Sequence, residues 1–174
     1  QKKYRKELKS KGKINLVDEH KIIKRPKIIL NEVENLKNLG FDKIILSGYS
    51  AGGWSSLVLQ SKYPEKIIGT IAFNPAFAGP KKEWQKKYPE WGAFREDSIN
   101  KFNKANTINA IIFAHKDDIF EDPKTLSFFE NFKNLSLIDY SELKPTKCNW
   151  ADVNEKMTAD KGHNIPQSKC FTKY

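Results

Sequence analysis

The 174 residues are 39% hydrophobic and 12% aromatic, which suits one domain with a buried core and excludes a disordered chain. The formal net charge is +10. Yet the lysines are interleaved with acids along the whole chain, and zinc-finger, RNP and helix-turn-helix signatures are absent, so a solvated basic surface is expected and nucleic acid is not an expected partner. No apolar run approaches the roughly 20 residues that cross a bilayer, so no membrane span is expected.

In chain order, Tyr4 to Lys11 reads as a helix stopped by Gly12, and Ile14 to Val17 as a short strand. Pro26 to Leu39 reads as a helix: Pro26 suits a first turn, Ile29, Val33 and Leu36 repeat at helical spacing, and Gly40 ends it. Lys43 to Ser47 is a buried-strand run, Gly48 to Gly53 a sharp turn, and Trp54 to Lys62 a helix stopped near Pro64. Further strands are expected at Ile67 to Phe73, Ala110 to Ala114 and Leu135 to Tyr140, with a helix at Asp122 to Phe132. Gly79 to Thr107 is polar and irregular, with Trp84, Tyr88, Trp91 and Phe94. Those aromatics fit either a small cap over an apolar acyl or aromatic group or a cover for the core. The tail from Ser141 to Tyr174 has little periodicity. Strands that are nearly continuous apolar runs, alternating with helices, predict an α/β fold with a mostly parallel sheet and helices on both faces, in a single domain over residues 1–174. Functional groups then belong at the carboxyl ends of the strands.

Gly48-Tyr49-Ser50-Ala51-Gly52 matches G-x-S-x-G between a strand and a helix. A serine nucleophile must project from a tight turn, so small neighbours are required, and Gly48 and Gly52 supply them. The helix N-terminus favours developing negative charge, and the Ala51 N–H is placed to donate to an oxyanion. Phosphate-binding loops want G-x-x-x-x-G-K-[ST] or G-x-G-x-x-G, and neither is present.

Serine needs a base, and the base an orienting acid, in the chain order Ser, acid, His. Three histidines exist, His20, His115 and His163, and only His163 stands in that order on a loop, after Gly162. Asp117 and Asp118 follow the strand ending at Ala114, and adjacent residues point in different directions, so one of them is expected to face His163.

At these residues the chain resembles the α/β-hydrolase superfamily, especially its esterase, dienelactone-hydrolase-like and prolyl-oligopeptidase-like members. The turn Gly48 to Gly53 is similar to the family's nucleophile elbow, Ala114-His115-Lys116-Asp117-Asp118-Ile119 to its acid loop, and Gly162-His163 to its G-H pair. Ala114 replaces a usual glycine. The resemblance implies Ser50 as nucleophile, Asp117 as acid, His163 as base and Ala51 as oxyanion-hole donor. It implies a carboxylesterase acting through an acyl-enzyme on a small-molecule or acyl substrate, with no metal or cofactor. A peptidase or acyltransferase using the same residues, and a non-catalytic binding module, are the alternatives. The family's first strands and a second oxyanion donor would precede Tyr4, so the natural protein is expected to be longer at its N-terminus.

Cys148 and Cys170 bracket His163, with no CxxC. A disulfide between them would staple the tail and imply a periplasmic or secreted protein, whereas two separate thiols would suit a cytoplasmic one.

Overall fold

Four short apolar runs organise the chain. The structure is a computed structural model that describes residues 21–77, 90–105, 107–142 and 161–167. Strands β1 (Ile45–Tyr49), β2 (Gly69–Phe73), β3 (Ala110–Ala114) and β4 (Leu135–Asp139) form one sheet in the order β1-β2-β3-β4, every neighbour parallel. Tyr49 lies opposite Phe73, Phe73 opposite Phe113, and Ala114 opposite Asp139, so the carboxyl ends finish together. Parallel neighbours need crossover connections. Helix α1 (Lys21–Asn38) precedes β1, α2 (Ala51–Lys62) joins β1 to β2, and α3 (Glu90–Asn103) lies between β2 and β3. A 3-10 helix, Ser127–Asn131, lies between β3 and β4, and α4 (Lys161–Asn164) runs into a 3-10 turn, Ile165–Gln167.

Strand alternation sends Leu46, Thr70, Ala72, Ala110 and Ile112 to one face of the sheet. There α2 contributes Trp54 and Leu57, α3 contributes Phe102, and Leu126 and Phe129 close the layer. The Trp54 ring meets Phe77 and Phe102 edge-on, with centroids 5.6 and 5.7 Å apart. Each such fully buried side chain is worth roughly 1.5–3 kcal/mol. A smaller cluster of Val33, Ile44, Leu59 and Ile67 docks α1 beside α2. The opposite face carries Ile45, Ile111 and Ile138, which are 58%, 41% and 37% exposed. Helices α2 and α3 pack on the first face and α1 docks beside α2; no second helical layer is among the described residues.

Several boundaries differ from the sequence expectation. β1 starts two residues later than Lys43 and runs to Tyr49, so the strand abuts the turn with no slack. Helix α1 starts at Lys21 and contains Pro26, which was expected at its first turn. The expected helix from Asp122 is a turn followed by the short 3-10 helix. The Asp122 carboxylate accepts the Thr125 N–H at 2.7 Å and its carbonyl accepts the Thr125 hydroxyl at 2.9 Å, a local bonding pattern that competes with helix. Helix α3 occupies part of the segment read as irregular, and Trp91 and Phe94 fall within it. The expected elements at Tyr4 to Lys11 and Ile14 to Val17, with Trp84, Tyr88, Cys148 and Cys170, lie outside the described residues. Among the described residues no helix is long and apolar enough to cross a membrane.

Candidate active site

Every strand end contributes to one place. Backbone bonds tie these ends together: Ser50 N–H donates to Phe73 O (3.0 Å), Asn74 N–H to Phe113 O (2.7 Å), and Tyr140 N–H to Ala114 O (3.0 Å).

Ser50 follows β1 directly, with φ 54° and ψ −128°, a conformation that side chains rarely adopt. Holding it there requires close approach of the chain to itself. A Cβ on Gly48 would lie 2.5 Å from the Gly52 carbonyl carbon and 2.6 Å from the Gly53 nitrogen. Glycine at 48 is therefore a steric requirement. Gly52 is not crowded in the same way, since a Cβ there would meet nothing within 4 Å, and the close contacts fall on Gly53 instead. The Ser50 carbonyl accepts the N–H groups of Trp54 (3.0 Å) and Ala76 (3.1 Å), which pins both sides of the turn. Ala51 opens α2, so its N–H has no acceptor within the helix and the positive end of the helix dipole lies at the serine.

His163 reaches this serine from the far end of the chain. Its Nε2 lies 2.9 Å from Ser50 Oγ, and its Nδ1 lies 2.7 Å from Asp118 Oδ2. An ionised carboxylate can only accept, so Nδ1 carries the proton and the Nε2 lone pair faces the serine hydroxyl. The imidazole is 6% exposed. It stacks on Phe120 with centroids 4.1 Å apart and lies 5.1 Å from the Tyr49 ring. Tyr49 also donates its hydroxyl to Asn164 Oδ1 at 2.7 Å, so the residue before Ser50 grips the residue after His163.

The expectation that Asp117 faces His163 is corrected: the aspartate against the ring is Asp118. The turn after β3 leaves the Asp117 side chain 63% exposed, with its Oδ2 3.8 Å from His115 Nδ1. The Asp118 side chain is fully enclosed beside His163. Two bonds turn it inward: its N–H donates to His115 O (3.0 Å), and its Oδ1 accepts the Phe120 N–H (2.8 Å). Gly162 completes the fit. A Cβ there would lie 2.4 Å from both Asp117 C and Asp118 N, so the histidine loop rests directly on the peptide joining the two aspartates.

His115 is nearly buried, and its Nδ1 accepts the Asp117 N–H at 3.1 Å. Burial lowers its pKa, against the opposing pull of Asp117 and Asp139, so the ring is neutral near pH 7. No three His, Cys, Asp or Glu among the described residues converge as a metal-binding group.

Two further residues join the site without any motif that marks them. Asn74 follows β2 with φ 42° and is wholly buried. Its Nδ2 lies 2.7 Å from Gly162 O and 2.9 Å from His163 O, and its Oδ1 accepts the Tyr140 hydroxyl at 3.1 Å. Tyr140, just past β4, is likewise buried, and burial pushes its hydroxyl above its ordinary range. The only sequence signal was Asn-Pro after a strand, which reads equally well as a simple stop.

No family model and no curated protein sequence matches the chain. Solved structures do. An esterase from Pyrococcus furiosus is 17% identical over 87% of this chain and 66% of its own, with a TM-score of 0.51. A monoacylglycerol lipase from Paleococcus ferrophilus is 17% identical over 68% of this chain and 64% of its own, with a TM-score of 0.48. An α/β-hydrolase enzyme from a metagenome of lagoon sediments at Mar Chica, Morocco, is 16% identical over 84% of this chain and 66% of its own, with a TM-score of 0.42. The chain thus spans just under two thirds of the length of these structures. A parallel sheet with its sharp strand-to-helix turn, and its likeness to the Pyrococcus esterase, identify the architecture of this chain as the α/β-hydrolase fold.

Proposed function

We propose that the protein is a serine hydrolase that cleaves carboxylic esters. Ser50 is the nucleophile, His163 the general base and Asp118 the orienting acid. One observation carries this reading: Ser50 Oγ, His163 and Asp118 form a hydrogen-bonded series at 2.9 and 2.7 Å, with the serine on a strained turn at a helix N-terminus. Fold alone carries no activity, so the argument rests on the site. The Pyrococcus furiosus protein of the same fold is an esterase, which agrees with ester chemistry.

In this mechanism Nε2 of His163 takes the Ser50 proton as Oγ attacks the ester carbonyl. Asp118 holds the ring in the required tautomer and stabilises the imidazolium that forms. The oxyanion develops beside the Ala51 N–H, where a preorganised donor acts most strongly. Collapse of the tetrahedral intermediate expels the alcohol, which takes the proton from His163. Water then attacks the acyl-enzyme with His163 again as base, releasing the acid and restoring Ser50.

The test is labelling by a fluorophosphonate together with hydrolysis of a p-nitrophenyl ester. A single adduct on Ser50 is expected, and S50A should lose both labelling and turnover. D118N should lower kcat by about 10⁴-fold, since an amide there favours the wrong tautomer. D117N should stay within a few-fold of the parent. Full turnover by S50A, or equal losses in D117N and D118N, would overturn these assignments.

A further inference from the structure

We infer that Asn74 is a positioning residue which, together with Tyr140, fixes His163 by gripping the backbone of the histidine loop; its catalytic consequence rests on the Ser50–His163 reading above. The histidine sits on a four-residue helix, α4, which has little regular structure of its own to hold a ring within a fraction of an ångström. A single amide replaces that missing support. The Asn74 amide nitrogen faces three acceptors, the carbonyls of Gly162 (2.7 Å) and of His163 itself (2.9 Å) and the Tyr140 hydroxyl oxygen (2.9 Å), and shares its two protons among them. Carbonyls only accept, so the nitrogen and not the oxygen of the amide must meet them, and the Tyr140 hydroxyl, 2.9 Å from Nδ2 and 3.1 Å from Oδ1, packs against the amide as a bridging donor and acceptor.

The backbone explains why asparagine stands here. Position 74 has φ 42°, a left-handed conformation that asparagine and aspartate tolerate better than other side chains. That conformation turns the side chain from the end of β2 toward the loop, while the Asn74 N–H stays on Phe113 O. Aspartate would fit the backbone equally well but cannot donate when ionised. It would aim negative charge at two carbonyl oxygens. The clamp thus connects β2 and the end of β4 to the same two peptides that carry His163, and Gly162 at the same point presses on the Asp117–Asp118 peptide. Releasing the carbonyls would let the ring shift relative to both Ser50 and Asp118, and a displacement of about 1 Å is enough to cost on the order of a hundredfold in rate.

The experiment uses N74G, N74D and Y140F in the full chain. N74G keeps the left-handed backbone and removes only the clamp. N74D keeps the shape and removes the donors. Folding is checked by circular dichroism. The first readout is the downfield proton resonance of His163 Nδ1–H on Asp118, assigned by its loss in H163A. The second is the rate of fluorophosphonate labelling at Ser50. Folded N74G and N74D should lose or broaden the resonance and label about a hundredfold more slowly, and Y140F about tenfold more slowly. A purely structural role would lower stability and leave the resonance of the folded protein in place. An unchanged resonance in folded N74G, or its absence from the parent protein, overturns the proposal. If both Asn74 variants fail to fold, an unchanged resonance in Y140F does so. Loss of the resonance in N74G with no labelling of the parent leaves the clamp standing and removes the hydrolase reading. Labelling of the parent with an unchanged resonance in N74G does the reverse.

Discussion

Ser50 stores strain that a purely structural turn would avoid. Its φ of 54° with ψ of −128° suits glycine, and a side chain there costs roughly 1–3 kcal/mol. The surrounding bonds, Ser50 N–H to Phe73 O and Ser50 O to Trp54 and Ala76, hold it in place regardless. This gives a reversal of an ordinary ranking. Glycine is usually less stable than alanine by roughly 0.5–1 kcal/mol inside regular elements. At position 50, S50G should be more stable than S50A by about 1 kcal/mol, because both lose the hydroxyl and only glycine relieves the strain. Urea denaturation of the two variants measures the difference. A more stable S50A would mean that the turn is not strained. The aspartate pair gives a further lesson at this scale. The spacing of Asp117 and Asp118 after β3 was legible, but which of them faces inward depends on Gly162 lying against their shared peptide, a contact between residues more than forty positions apart.

Helix α3 shows how an element can escape its own sequence pattern. Its inward positions include Arg95, Ser98, Ile99 and Phe102, so two of these four are polar and the apolar period is broken. Each polar group has a buried partner. Ser98 Oγ accepts the Trp54 indole N–H at 3.1 Å. Arg95 makes a two-pronged pair with Glu121, Nε to Oε1 and Nη2 to Oε2 both at 2.7 Å, and a further bond to Thr125 O at 3.0 Å. Glu121 follows Asp118 by three residues, so this pair fastens the acid loop to α3. Burial raises the Glu121 pKa, and the guanidinium opposes that rise, which marks the carboxylate as dependent on its partner. R95M should therefore cost about 3–5 kcal/mol, the usual consequence of leaving a buried charge unpaired. The double variant R95M/E121L should recover most of that loss, because an apolar pair of similar volume avoids desolvation altogether. Chemical denaturation of the singles and the double closes the cycle, and strictly additive losses would show that the two residues are not coupled.

Across the whole molecule, the parallel sheet was legible because each five-residue strand has at least three apolar residues, in a chain of alternating elements. The serine turn and the histidine were legible because glycine spacing and chain order constrain them. The clamp at Asn74 and Tyr140 was not, since it joins residues 66 positions apart whose local sequence reads as strand ends. The pH dependence of stability also emerges only at this scale, and His115 sets one part of it. Burial lowers its pKa from 6.5, with Asp117 and Asp139 pulling weakly the other way. The unfolded chain thus binds a proton more readily than the native one, so stability is lost as pH falls through 6.5 toward the lowered native value, and changes little above it. Protonation also removes the ring acceptor for the Asp117 N–H, beside the turn that carries Asp118. Other groups titrate in neighbouring ranges. The lowered Asp139 pKa acts below 3.8, and the raised Glu121 pKa acts above 4.5 in the opposite direction. Comparing the protein with H115Q cancels the Glu121 contribution, and that of Asp139, whose pKa His115 itself helps to lower, falls below the pH range compared. The advantage of His115 over glutamine in unfolding free energy should be full at pH 7.5 and shrink steadily toward pH 5, followed by urea denaturation at each pH. An advantage that stays constant, or grows on acidification, would mean that the buried ring accepts its proton as easily as a solvated one.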